Sequence, residues 1–234
     1  DSADLRASVV SLAKAVGYTP SSSSSALANI NVTVNGPRTS SLTMIRGTKF
    51  TSTVNETSYS FVNNADVTIT PADGVYTFSN LDIYEGTYLN YKYTTNTSDI
   101  DQRYIIPNDD VDTNTLTVKV QNSASDSITN IYTLANGITA LDSTSKVYFL
   151  QEVENGRYEV YFGDGVLGKK VEDGNIIILD YIVNNRGNAN GASAFTLNGD
   201  IGGFSDVTIT TNSIASNGAA PESIASIKYN APRD

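Results

Sequence analysis

The chain is 234 residues long, 39% hydrophobic and 17% charged, with a net charge of −10, no histidine and no cysteine. That length can bury a sizeable core in one or two domains. The missing residue types exclude disulfides, thiolate nucleophiles, Cys-based zinc sites, the Ser-His-Asp triad and the commonest general base, so an enzyme is not expected.

Acidic side chains are spread along the chain and no basic tract stands out, which argues against nucleic acid or an anionic membrane surface as a partner. No apolar run approaches the roughly 20 residues of a membrane-spanning helix, and the N-terminus lacks the layout of a signal peptide. The chain opens on Asp1 instead of Met and closes on "NAPRD", so it is expected to be a piece of something longer.

The first segment, "DSADLRASVVSLAKAVGYTP", predicts a helix: Leu5, Val9, Leu12 and Val16 fall on one stripe, Ser2 can cap the start, and Gly17 and Pro20 supply the stop. Such a stripe needs a partner face. Ser21–Ser25 and Ala26 read as a flexible, solvated connector.

From residue 27 the pattern changes to short alternating runs separated by Gly, Asn, Asp and Pro. "VYTFSNLDIYEG", "TYLNYKY", "KVYFLQEV" and "DVTIT" are strand candidates rich in β-branched and aromatic residues. In "TLTVKVQ", Leu116, Val118 and Val120 face one way and Thr117, Lys119 and Gln121 the other; in "RYEVYF", Tyr158, Val160 and Phe162 share a face. "NIIILDYIV" is apolar on both faces, with Ile176, Ile178 and Ile182 opposite Ile177, Leu179 and Tyr181, and should be a central strand. A final helical turn is expected to begin at Pro221, followed by Glu222 at the positive end of the dipole.

The fold class is therefore mainly β: a short N-terminal helix, two β-rich subdomains of mostly antiparallel strands, and a small C-terminal helical turn. The polar stretch "QNSASDSITN" suggests a boundary. The expected division is a helix and Ser-rich linker over 1–26, a β-rich subdomain over 27–130, and a second over 131–234.

Several motifs invite a chemical reading. In "YFGDGVLGKK", Gly163, Gly165 and Gly168 satisfy G-x-G-x-x-G, and Gly163, Gly168 and Lys169 approach a Walker A loop. A phosphate loop needs a helix after its glycines, yet fewer than two helical turns fit before the strand near Asn175, and Lys170 stands where a hydroxyl must hold magnesium. A hairpin turning at Asp164-Gly165 is expected instead. "PNDDVDTN" places Asp110, Asp112 and Asn114 at alternate positions, but Thr115 and Gln121 replace the Gly and Glu of a calcium loop, so a turn before a strand is expected. Glu152, Glu154 and Glu159 read as solvated strand carboxylates and not as a glycosidase pair. The glycosylation matches at Asn31, Asn55 and Asn96 are those an Asn- and Ser-rich chain produces by chance. Fourteen tyrosines suit both sheet surfaces and protein interfaces. No catalytic, cofactor-binding or metal-binding residue is assigned.

Taken in order, "LRASVVSLAKAVGYTP", "IRGTKFTSTVNETSYSF", "YIIPNDDVDTNTLTVKV", "RYEVYFGDGVLGKKVEDGNIIILDYIVNN", "NANGASAF" and "PESIASIKYNAPRD" resemble the baseplate J-like wedge proteins of contractile-tailed bacteriophages, in particular T4-like wedge subunits. "YFGDGVLGK" with the apolar strand after it, and the terminal "ES" with "IKYNAPRD", are the most specific pieces. The resemblance implies a structural virion protein of the tail baseplate, assembled in the host cytoplasm. It also implies a ring around the hub, contacts with other wedge subunits and a second copy of itself, no cofactor and no small-molecule substrate. Residues 3–16 would end a helical portion that joins a core bundle, and residues 27–234 would be the β-rich middle. "SSSSS" departs from the more basic segment expected there. The alternative is a carbohydrate- or receptor-binding β module of a phage tail, suggested by the Tyr, Asn and Asp content.

Overall fold

The computed structural model describes residues 5–36, 40–135 and 141–231; the expected cap Ser2 lies outside them. Helix α1 (Arg6–Ala15) stops as its sequence predicts. Gly17, at φ +85°, follows the last turn, and the amides of Gly17 and Tyr18 bond the carbonyls of Lys14 and Ala13 in a Schellman arrangement. The expected stripe is split, however. Val9, Val10 and Ala13 pack on Ile227 and Ala231, while Leu5, Leu12 and Val16 stay exposed.

Fifteen strands follow among the described residues. β1 (Leu27–Val34), β2 (Leu42–Met44), β3 (Lys49–Val54), β4 (Thr57–Asn63), β5 (Val67–Ile69) and β6 (Tyr76–Glu85) lead to β7 (Thr87–Thr94), β8 (Tyr104–Ile105), β9 (Val111–Gln121) and β10 (Thr129–Leu134). After these come β11 (Val147–Glu152), β12 (Tyr158–Phe162), β13 (Ile176–Val183), β14 (Thr196–Asn198) and β15 (Val207–Ser216), then helix α2 (Ile224–Asn230). The mainly β class is as expected.

Two larger sheets carry the fold. A six-stranded antiparallel sheet runs β14-β3-β4-β6-β1-β15, and the β2–β5 ribbon flanks it. In β1 every second residue, Ala28, Ile30, Val32 and Val34, enters a core shared with Phe50, Phe61, Phe78 and Met44, while Asn29, Asn31 and Thr33 face outward. A seven-stranded sheet runs β7-β13-β9-β10-β11-β12-β8, antiparallel except where β10 meets β11. β13 is the central strand its composition predicts, buried from Ile177 to Ile182 between β7 and β9.

The strand order runs across residue 130, where a division was expected. β9 and β10, on either side of that point, pair with each other, and both belong to the sheet completed by β11, β12 and β13. The six-stranded sheet takes β14 and β15 from the far end of the chain. The seven-stranded sheet is thus one continuous stretch, 87–183, set between two parts of the other.

The serine tract is not a solvated connector. Ser22, Ser23 and Ser25 are buried. Ser22 Oγ lies 2.9 Å from Thr113 Oγ1 and accepts from the Thr113 amide at 3.0 Å, Asn184 Nδ2 donates to Ser23 Oγ at 3.1 Å, and the Ser25 amide donates to Asp112 Oδ2 at 2.8 Å. Serine is polar enough to predict exposure, but here its small hydroxyls act as extra backbone-like partners in a seam between the sheets. α2 also begins later than expected: Ser223 is the cap, accepting from the Ser226 amide, and Pro221 and Glu222 precede the helix.

Candidate functional site

The glycine motif forms neither a phosphate cradle nor the expected two-strand hairpin. β12 pairs with β11 and β8, not with β13, so no ribbon is reversed at Asp164-Gly165. Residues 163–175 contain no helix. The loop closes on itself: the Gly165 amide bonds Gly168 O at 3.1 Å, and a Cβ on Gly163 would sit 2.3 Å from that same oxygen. Amides that would face an anion are already used. Val166 N and Leu167 N donate to Asp164 Oδ1 at 2.8 and 3.0 Å, and these bonds hold the Asp164 carboxyl below the usual aspartate range. The loop is anchored by Gly168 N to Asp142 O and Lys169 N to Ser145 O.

The other candidate carboxylates are taken up by arginines or by backbone amides. Glu152, with 1% of its side chain exposed, takes a two-pronged bond from Arg6 at 2.7 and 2.8 Å. Glu159 receives the same from Arg103, plus Gln151 Nε2. Burial opposes ionisation of Glu159, but these donors prevail and lower its pKa. Glu154 meets Arg103 at 3.5 Å. Asp110, at φ +53°, pairs with Arg186, while Asp112 accepts from the amides of Ser25 and Asn114. Asn114 is exposed on β9. Among the described residues no group of three or more acids is close enough to hold a metal ion.

Sequence reasoning missed a buried polar cluster between the sheets. Asp180, on β13, accepts from Tyr88 Oη at 2.7 Å, Asn90 Nδ2 at 2.6 Å and Lys119 Nζ at 3.0 Å, with Arg46 Nη1 at 3.5 Å. Arg46 comes from the β2–β3 turn of the other sheet, lies over the Tyr88 ring, and donates to Thr115 O. Burial works against the charge on Asp180, yet its donors hold the pKa below the ordinary value, while the same burial and bond push Tyr88 up to about 12. The only signal in sequence was an aspartate inside an apolar central strand.

An apolar groove of about 340 Å³ lies at the helical end, where Val9, Leu12, Ala13 and Val16 of α1 and its C-terminal flank meet Ile227, Lys228 and Ala231. Leu5, Leu12 and Val16 are 68%, 65% and 58% exposed, continuing this face along the helix. Salt bridging by Arg6 to Glu152 and the bond from Tyr18 Oη to Glu222 fix the helix on the β body.

Residues 90–190 match the model of the third domain of bacteriophage baseplate wedge protein gp6. Over an aligned length of 233 that covers 90% of this chain, the sequence is 27% identical to baseplate wedge protein gp6 of Enterobacteria phage T4. The chain spans about a third of the length of that curated relative, 34%. The resemblance to phage baseplate wedge proteins is borne out, and the family match falls on the stretch that builds the seven-stranded sheet.

Proposed function

We propose that this chain, a relative of the phage baseplate wedge proteins, is a structural piece of a contractile-tail baseplate wedge that acts through protein–protein interfaces. It works in the virion, joining other wedge subunits and a second copy of itself in a ring around the hub after assembly in the host cytoplasm. It has no catalytic role.

The observation that carries this reading is the open apolar face of α1. Leu5, Val9, Leu12 and Val16 keep the spacing of a two-stranded helical seam, with leucine and valine alternating, and three of the four are exposed on a helix locked to a rigid body. Burying such side chains against a partner stabilises by about 1.5–3 kcal/mol each when complete. Ionised networks between the sheets and the absence of His and Cys fit a scaffold that transmits force as a rigid body.

The test is Leu12→Asp with Val16→Asp in the intact tail. Both side chains are exposed, so thermal unfolding of the isolated chain should not change, while the yield of assembled baseplates should fall at least tenfold. Wild-type yields would overturn the reading.

A further inference from the structure

The six-stranded sheet parts at one place. β4 pairs with β6 only over residues 61–63, and beyond that point no strand among the described residues pairs with this side of β6. A pocket of about 350 Å³ opens there, between residues 63–67 and β6, with Val67, Phe78 and Leu81 as its apolar lining and Asn80, Asp82 and Tyr84 among its polar one. The polar groups are held by a network of amides. Ile30 pairs with Leu81 and Val32 with Phe78, so Asn31 faces two residues of β6, Ser79 and Asn80, and at this bulge Asn80 lies at φ +53°. A bulge re-aims the side chains it carries. Asn31 Oδ1 accepts from the Asn80 amide at 2.8 Å, Asn212 Nδ2 donates to Asn29 Oδ1 and Asn31 Oδ1 at 2.8 and 2.9 Å, and Asn29 Nδ2 donates to Asp82 Oδ1 at 2.7 Å. The bulge and one carboxylate oxygen are thereby fixed across three strands. Asp82 Oδ2 has no partner among the described residues, and neither have the side chains of Ser79, Asn80 and Tyr84.

We propose that this pocket binds a neutral sugar ring. A pyranose offers an apolar C–H face and a rim of hydroxyls, and the pocket offers the matching set. Tyr84 supplies an aromatic body with a polar tip, beside the apolar atoms of Val67 and Leu81. Asp82 Oδ2 accepts from hydroxyls, the Asn80 amide both donates and accepts, and the Ser79 hydroxyl does either, so adjacent hydroxyls of one ring find partners of both kinds. No lysine or arginine lines the pocket. A phosphate, sulfate or carboxylate would therefore meet the Asp82 charge without compensation, and an anionic ligand is disfavoured. A cationic side chain would pair with Asp82 but leave the acceptors and donors of Asn80 and Ser79 without a role. The volume lies at the lower end of the range for ligand pockets, which suits one ring more than a long chain. This binding is additional to the interface role of α1, and neither depends on the other.

Titration of the isotope-labelled 234-residue chain, followed by its amide resonances, tests the proposal. The probes are the methyl glycosides of glucose, galactose and mannose and free N-acetylglucosamine, with a hexose phosphate, N-acetylneuraminate and Nα-acetyl-lysine amide as charged counterparts. At least one neutral sugar is expected to give saturable shifts centred on residues 63–65 and 79–84, and the charged probes none. Asn80→Gly keeps the left-handed backbone and removes the side-chain amide, so thermal unfolding should not fall while affinity drops about tenfold. Asp82→Asn retains an oxygen for Asn29 and should weaken binding to a similar degree. No saturable shift from any neutral sugar, shifts that map away from the pocket, equal binding of a charged probe, or wild-type affinity in Asn80→Gly would each overturn the inference. Leu12→Asp should bind sugar unchanged, so failure here stays distinct from failure of the α1 reading, whose test is baseplate yield.

Discussion

Gly86 stands where the chain leaves β6 of one sheet and enters β7 of the other, at φ +132° and with its amide on Ser60 O. A Cβ there would lie 2.3 Å from Val183 O and 2.7 Å from Ile182 Cγ2, both on the central strand. Gly86→Ala is therefore expected to cost about 3 kcal/mol or more, from a left-handed backbone and an unavoidable clash, measurable by urea unfolding. Its neighbour Glu85 is fully buried and accepts from Asn185 N and Nδ2 at 2.9 and 2.6 Å. Burial raises its pKa above 4.5 despite those bonds. The folded state then holds the proton more tightly than the unfolded chain, so ionisation opposes folding at neutral pH and the penalty fades as pH falls through the raised value. The stability of Glu85→Gln relative to wild type should accordingly be greatest at pH 7 and decline toward pH 4.5; a difference independent of pH would count against this account. Asp180 acts in the opposite sense. Its lowered pKa adds stability above 3.8 that is lost as pH falls through the lower folded value.

At the scale of elements, one charge pair, Arg6 with the buried Glu152, ties α1 to the seven-stranded sheet. Arg6→Met leaves the buried Glu152 carboxyl without its guanidinium partner and should cost about 3 kcal/mol, while Arg6→Met with Glu152→Met should recover most of it, a double-mutant comparison by chemical denaturation. The serine tract makes a matching case: Asp112→Ala strands the buried Ser25 amide and should cost about 1–3 kcal/mol, and native-state proteolysis should spare residues 21–26, where a solvated connector would be cut first. These two elements show what the sequence did and did not reveal. Periodicity located α1, β9, β12 and the two-faced β13 because side-chain alternation is a local property. It failed at the serines because their burial depends on Thr113, Asn184 and Asp112, distant in the chain. It also failed at Asp164-Gly165, because a turn dipeptide reports that the chain bends but not which strand the next residues will join. Here Asp164 spends its carboxylate on its own loop amides, and β13 goes elsewhere.

For the molecule as a whole, the order of strands decides which pieces can fold. The seven-stranded sheet is built entirely by 87–183, with its own core of Val118, Val160, Leu179 and Tyr181, and the family match at 90–190 coincides with it. Excised at those ends it loses Arg46, yet Asp180 keeps Tyr88, Asn90 and Lys119, so its buried charge remains satisfied. An 87–183 fragment is expected to unfold cooperatively and to give dispersed amide resonances. A 27–130 fragment should do neither. It would hold β7 and β9 without β13, the strand that separates and pairs with both, and a six-stranded sheet stripped of β14, β15, Phe195, Ile201 and Ala215. A cooperative melt from 27–130 would show that the two sheets divide in chain order after all.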